Sequence, residues 1–154
     1  MFVHHHLQLV DIPPKLVVVD FEYASPNPLA FDIANHFHEW TADYHSSTPH
    51  LLDPSRYPTA QQRRNLYQAY LLHAHTHSNT SLTEVAGEAR LAKLERQVSL
   101  WSPASHGMWA IWGIVQARGD VERGRAKVRA EFDYLGYAKC RMERFFHEIL
   151  TLGV

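Results

Sequence analysis

A chain of 154 residues, 45% hydrophobic and 20% charged, is ordinary globular material, long enough for one domain with a real core. Its 15 Lys and Arg nearly balance 16 Asp and Glu with no block of like charges, which argues against nucleic acid or an anionic membrane surface as a partner. A lone cysteine, Cys140, excludes an internal disulfide framework, no apolar run approaches the roughly eighteen residues of a membrane span, and the first ten residues carry no basic region or cleavage site, so stable membrane insertion is not expected and a cytoplasmic location is.

In chain order, two apolar runs at residues 7–10 and 16–19, joined by Asp11-Ile12-Pro13-Pro14-Lys15, predict a β-hairpin over residues 1–20. The run Val17-Val18-Val19 is β-branched and suits a strand buried on both faces, so Asp20 is the first polar group to emerge at the sheet rim. On spacing alone such an acid is more often a turn former or helix cap than a metal ligand. Residues 24–28 form a turn, and from about residue 31 the remainder is predicted helical. Phe31, Ala34, Phe37 and Trp40 recur at helical spacing and lead to Tyr44. Pro49, Pro54 and Pro58 make the next segment irregular, and Thr59 with Gln62 forms a capping box for a helix to about His75. Ser81 with Glu84 opens a helix ending near Leu100, and Ser102-Pro103 reads as the cap and first-turn proline of a separate helix carrying Trp109 and Trp112. Residues 119–124 are a polar connection, and a last helix runs from near Phe132 to Leu150. The fold class is α+β, mainly α-helical.

Aromatic residues at helical spacing are, on pattern alone, core residues. The twelve histidines raise a metal hypothesis, but His4-His5-His6 is too local to enclose an ion, His36 and His38 point to different helix faces, and His73 with His77 lacks a third ligand. Surface histidines are therefore the expectation.

Three blocks carry a family resemblance. Asp20-Phe21-Glu22-Tyr23, then Phe31-Asp32-Ile33-Ala34-Asn35-His36-Phe37 and Glu39-Trp40, form the first; Ala104-Ser105-His106 with Trp109, Trp112 and Val115-Gln116-Ala117 the second; Glu131-Phe132-Asp133-Tyr134 through Tyr137-Ala138 to Leu152-Gly153-Val154 the third. Together they resemble the choline/ethanolamine kinase family over roughly residues 16–154. The resemblance implies the C-terminal lobe of a protein-kinase-like fold, a single partial domain over 1–154 with the hairpin at 1–20 and helices over 31–154. It implies transfer of a phosphoryl group from ATP to choline or ethanolamine, the step that opens the CDP-choline route to phosphatidylcholine.

The resemblance also implies residue roles. Asp20 is a ligand for Mg²⁺, which bridges the ATP phosphates. Tyr23, Glu39, Tyr44, Trp109, Trp112, Phe132 and Tyr137 form a substrate cage, because a quaternary ammonium has no N–H to donate and is held by ring faces and nearby carboxylates. Asp32 caps its helix and braces the catalytic loop, and Asn35 and His36 are structural. Leu29-Ala30 stand where the family has Arg-Gly. Residues 1–10 contain no Asp, Asn or glycine-rich loop with which to supply the family's catalytic base or its grip on ATP. The chain alone is accordingly expected to be inactive, with an amino alcohol as ligand, and to self-associate through surface that a neighbouring lobe would cover. A non-catalytic remnant that binds an amino alcohol or a partner protein is the competing expectation.

Overall fold

The computed structural model describes residues 23–74, 87–122 and 132–153. The predicted hairpin and Asp20 lie outside these residues. Among those described there is no strand, only one antiparallel bridge between Ala42 and Leu52. The elements are α1 (Leu29–Glu39), a 3-10 turn (Pro54–Arg56), α2 (Ala60–Ala74), α3 (Glu88–Glu122) and α4 (Tyr134–Leu152).

Helix α1 forms because Ala30, Ile33, Ala34 and Phe37 fall on one stripe and are all buried. Phe37 is 1% exposed, a burial that contributes about 2–3 kcal/mol. The helix opens at Pro28, whose extended backbone presents its carbonyl to the amides of Phe31 and Asp32 at 2.9 and 3.4 Å. Asp32 is therefore not the cap expected from sequence. It is an exposed acid in the first turn, where it complements the helix dipole. The helix also stops at Glu39, short of Tyr44: the hydroxyl of Thr41 donates to the His38 carbonyl at 2.6 Å, and the Thr41 carbonyl takes the Asp53 amide at 2.8 Å, turning the chain into the proline-rich loop.

The capping box at Thr59 and Gln62 is present. The Thr59 amide donates to Gln62 Oε1 at 2.8 Å and the Gln62 amide to Thr59 Oγ1 at 3.3 Å, and α2 follows. Arg63 of α2 grips Glu95 of α3, with Nε and Nη2 at 3.0 and 2.6 Å from Oε1. Leu91, Leu94 and Val98 of α3 close over Phe37 of α1 and Tyr67 of α2 to make the main core.

The break expected at Ser102-Pro103 does not occur, and α3 runs through Pro103 for 35 residues. Ser102 is unavailable as a cap because its hydroxyl is bonded to His38 of α1 at 2.9 Å. The helix likewise continues past Gly119, where the polar connection was expected to begin, as far as Glu122. Helix α4 is capped by Asp133, whose Oδ1 takes the Gly136 amide at 2.8 Å, and ends at Gly153 in the left-handed conformation with φ 73°. It lies close against α3 at Gly113, where a Cβ would stand 3.0 Å from the Tyr134 carbonyl oxygen and 3.1 Å from Ala138 Cβ. That approach sets Trp112 beside Tyr137.

Candidate functional site

Three helices converge on a continuous aromatic and charged cluster. From α3, Trp109 and Trp112 meet edge to face with centroids 5.4 Å apart. Tyr23 packs edge-on against Trp109 at 6.0 Å and accepts the Trp112 indole N–H at 2.9 Å. From α4, Tyr137 lies 5.9 Å from Trp112, and Phe132, just before that helix, lies 5.5 Å from Tyr137. Tyr134, not singled out from sequence, adds a ring 5.6 Å from Trp112 and 5.1 Å from Phe132. The remaining two members join through a carboxylate: Tyr44 donates its hydroxyl to Glu39 Oε2 at 2.7 Å.

The two halves are joined by Arg141, which sequence reasoning passed over. It is fully buried. Its Nε donates to the Tyr137 hydroxyl oxygen at 3.0 Å, its Nη2 to Glu39 Oε1 at 3.0 Å, and its guanidinium sits 5.1 Å from the Tyr137 ring centroid. The seven cage candidates therefore form one connected network with Arg141 at its centre. Tyr23 and Tyr44 stand at the open side, 62% and 53% exposed. Burial and the bond to Glu39 raise the Tyr44 hydroxyl well above the usual phenol range, so it stays a proton donor.

Behind the rings lies a second cluster that corrects the reading of the histidines as surface groups. His38 of α1 and His106 of α3 are 1% and 3% exposed and stack with centroids 3.7 Å apart and planes 16° from parallel. Glu148 of α4 faces both, its Oε1 3.8 Å from His38 Nε2 and 3.6 Å from His106 Nε2. Burial lowers both imidazoles, His106 to about 4. For Glu148 burial acts upward, and the His106 imidazole facing it leads the influences that hold the carboxyl well below the usual range. The three border a cleft of about 260 Å³ together with Thr41, Tyr57 and Arg144.

Two histidines and a carboxylate with ligand atoms within 4.8 Å of one another invite a metal. The geometry argues otherwise. Parallel imidazoles stacked this closely aim their lone pairs side by side and not at a common point. His106 Nδ1 also faces Arg141 Nη1 at 3.4 Å, and a guanidinium only donates, so the proton of His106 is on Nε2. Nor is this nitrogen-rich set suited to Mg²⁺, which prefers oxygen ligands.

Of the residues expected to be structural, Asn35 takes the Trp109 indole N–H on Oδ1 at 2.5 Å and the Ser105 hydroxyl on the same oxygen at 3.0 Å. His36 accepts the Trp40 indole N–H at 3.3 Å on the exposed side of α1, and Asp32 is exposed on that helix. Arg141 was legible only in hindsight: it follows Tyr137 by one helical turn, on the same face, within an aromatic helix.

The sequence pattern that describes choline/ethanolamine kinases matches residues 2–146. The chain belongs to the choline/ethanolamine kinase family. Members of that family to which it is similar include "Probable choline kinase 3" of Arabidopsis thaliana, 38% identical over 94% of this chain and 39% of the relative. The "Choline kinase" of Schizosaccharomyces pombe is 33% identical over 90% of this chain and 39% of its own length. The human "Choline/ethanolamine kinase" is 37% identical over 87% of this chain and 32% of its own length. The chain thus spans about two fifths of the first two relatives and less of the third. No helix among the described residues is long and apolar enough to cross a membrane.

Proposed function

We propose that this segment forms the amino-alcohol-binding part of a choline kinase, in which Mg-ATP phosphorylates the choline hydroxyl. The observation that carries the reading is the ring cluster of Tyr23, Trp109, Trp112, Phe132 and Tyr137 beside the Glu39 carboxylate. Ring faces and a carboxylate are what a trimethylammonium group can use, each good ring contact contributing about 0.5–2 kcal/mol. The number of rings favours choline; ethanolamine is the alternative substrate. The hydroxyl end of the ligand would point away from the rings. Asp20 is proposed as a Mg²⁺ ligand on the strength of the family resemblance, and the bound metal would supply positive charge to the phosphates. Residues 1–10 hold no Asp, Asn or glycine-rich loop of the kind the family resemblance calls for, so the 154-residue chain assayed alone is expected to bind without turnover. A protein that only binds an amino alcohol is the second reading, and it shares the same cage.

The test is a titration of the chain with choline and with ethanolamine, followed by tryptophan fluorescence. A saturable response to choline that disappears in Trp112→Ala is expected. A response no larger than that to sodium chloride would overturn the reading. In any active form that contains this segment, Trp112→Ala should raise the choline KM while leaving the ATP KM unchanged, whereas Asp20→Asn should lower kcat. Choline-dependent ADP release by the 154-residue chain alone would overturn the expectation of binding without turnover.

A further inference from the structure

With His38 neutral in its buried site, the donors and acceptors between the ring cluster and the buried histidine pair follow from the groups that can only donate. An indole N–H only donates, so the Asn35 atom facing Trp109 at 2.5 Å is its oxygen, and the amide orientation is fixed. That oxygen has no proton to give, so the bond with Ser105 at 3.0 Å uses the serine proton. With its proton committed to Asn35, Ser105 Oγ accepts from His38 Nδ1 at 3.2 Å, and His38 carries its proton on Nδ1. Its Nε2 is then a free lone pair, which takes the Ser102 hydroxyl at 2.9 Å. The result is a directed chain, Ser102 to His38 to Ser105 to Asn35, ending on the oxygen that anchors Trp109. Its interior members are sealed from water: His38 is 1% exposed and Ser105 is fully buried.

We propose that His38 is a positioning residue for Trp109, acting through Ser105 and Asn35 on the orientation of the indole in the ring cluster. The proposal rests on the amino-alcohol reading only for its effect on ligand. His38 touches none of the cage rings, and what it supplies is one donor at the Nδ1 position. Loss of that donor frees Ser105 to rotate and removes the order it imposes on Asn35 Oδ1. In a buried chain of this kind each bond strengthens its neighbours, so a defect at one end is felt at the other.

The experiment uses the 154-residue chain with ¹⁵N-labelled tryptophan, whose four indole N–H resonances are assigned by single Trp→Phe variants. His38→Asn puts an amide N–H where the Nδ1 donor stood, His38→Gln puts it at the Nε2 position, and His38→Leu removes it. His38→Asn should keep the Trp109 resonance and the choline affinity near wild type. His38→Gln and His38→Leu should shift or broaden the Trp109 resonance, leave that of Trp101 in place, and weaken choline binding roughly three- to tenfold, as for one lost hydrogen bond. Ser105→Ala, which cuts the chain with little change of volume, should behave like His38→Leu and covers the case in which the leucine variant does not fold. The proposal is overturned if His38→Leu or Ser105→Ala leaves the Trp109 resonance at its wild-type position, or if His38→Asn perturbs it as much as His38→Leu does. If the Trp109 resonance follows this pattern while no variant and not even the wild type responds to choline, the positioning role stands and the amino-alcohol reading fails.

Discussion

Arg141 shows how a single side chain can hold a site together and remain invisible in a linear reading. It is fully buried, and its guanidinium meets Glu39 from 102 residues away, Tyr137 and His106. Replacing it with methionine fills the volume and abandons all three partners. Glu39 is 39% exposed and can regain water, while Tyr137 and His106 cannot, so Arg141→Met should cost about 2–4 kcal/mol. Urea unfolding monitored by circular dichroism measures this, and a loss under about 1 kcal/mol would show that the guanidinium is not the hub described. Lysine is no substitute, since one ammonium cannot reproduce the fork that serves two neighbours at 3.0 Å. The rings were legible from sequence because aromatics at helical spacing coincide with a family signature. Arg141, His38 and His106 were not, because whether a polar side chain can be buried depends on partners far along the chain, and no local pattern records them.

At the level of elements, α1, α3 and α4 each contribute one member of the His38, His106 and Glu148 cluster, so its protonation reports on the docking of all three helices. The unfolded chain binds protons on its histidines near the ordinary value of about 6.5, whereas burial holds the folded imidazoles lower, His106 at about 4. The folded state therefore binds fewer protons through this window. The stability due to the histidines is fully present above about pH 6.5 and is lost as pH falls toward 4, with His106 alone accounting for about 3 kcal/mol. The lowered Glu148 carboxyl has the same sign and extends the loss below its ordinary range. Chemical denaturation at a series of pH values should show this slope, and His106→Gln should flatten it; a slope unchanged by that substitution would exclude the cluster as its origin. The helices themselves were largely legible, since the α1 stripe and the Thr59–Gln62 box carry their own signals. The continuity of α3 was not, because Ser102 looks like a cap until its hydroxyl is seen bonded to His38, 64 residues earlier.

At the scale of the whole molecule, Ile111, Ile114 and Val115 of α3 are each at least half exposed, and Met108 one turn earlier is 40% exposed. An exposed apolar stripe of this kind favours association, so mass by light scattering should rise with concentration, and Ile111→Lys should restore a monomer. A constant monomer mass for the unmutated chain across the range would sink this expectation. Pro103 brings a different consequence. A proline inside a helix withholds the amide that would close the preceding turn. It lies between two stretches of α3 that share α1 and otherwise have different neighbours: Leu91, Leu94 and Val98 are locked into the core with α1 and with Tyr67 of α2, while Gly113 on the later stretch meets α4. The 35-residue helix should therefore open as two cooperative units and not as one. In native-state hydrogen exchange, amides before the proline would share the protection of α2 and those after it the protection of α4, with fast-exchanging amides at the seam; one uniform protection level from end to end would mean that the proline divides nothing.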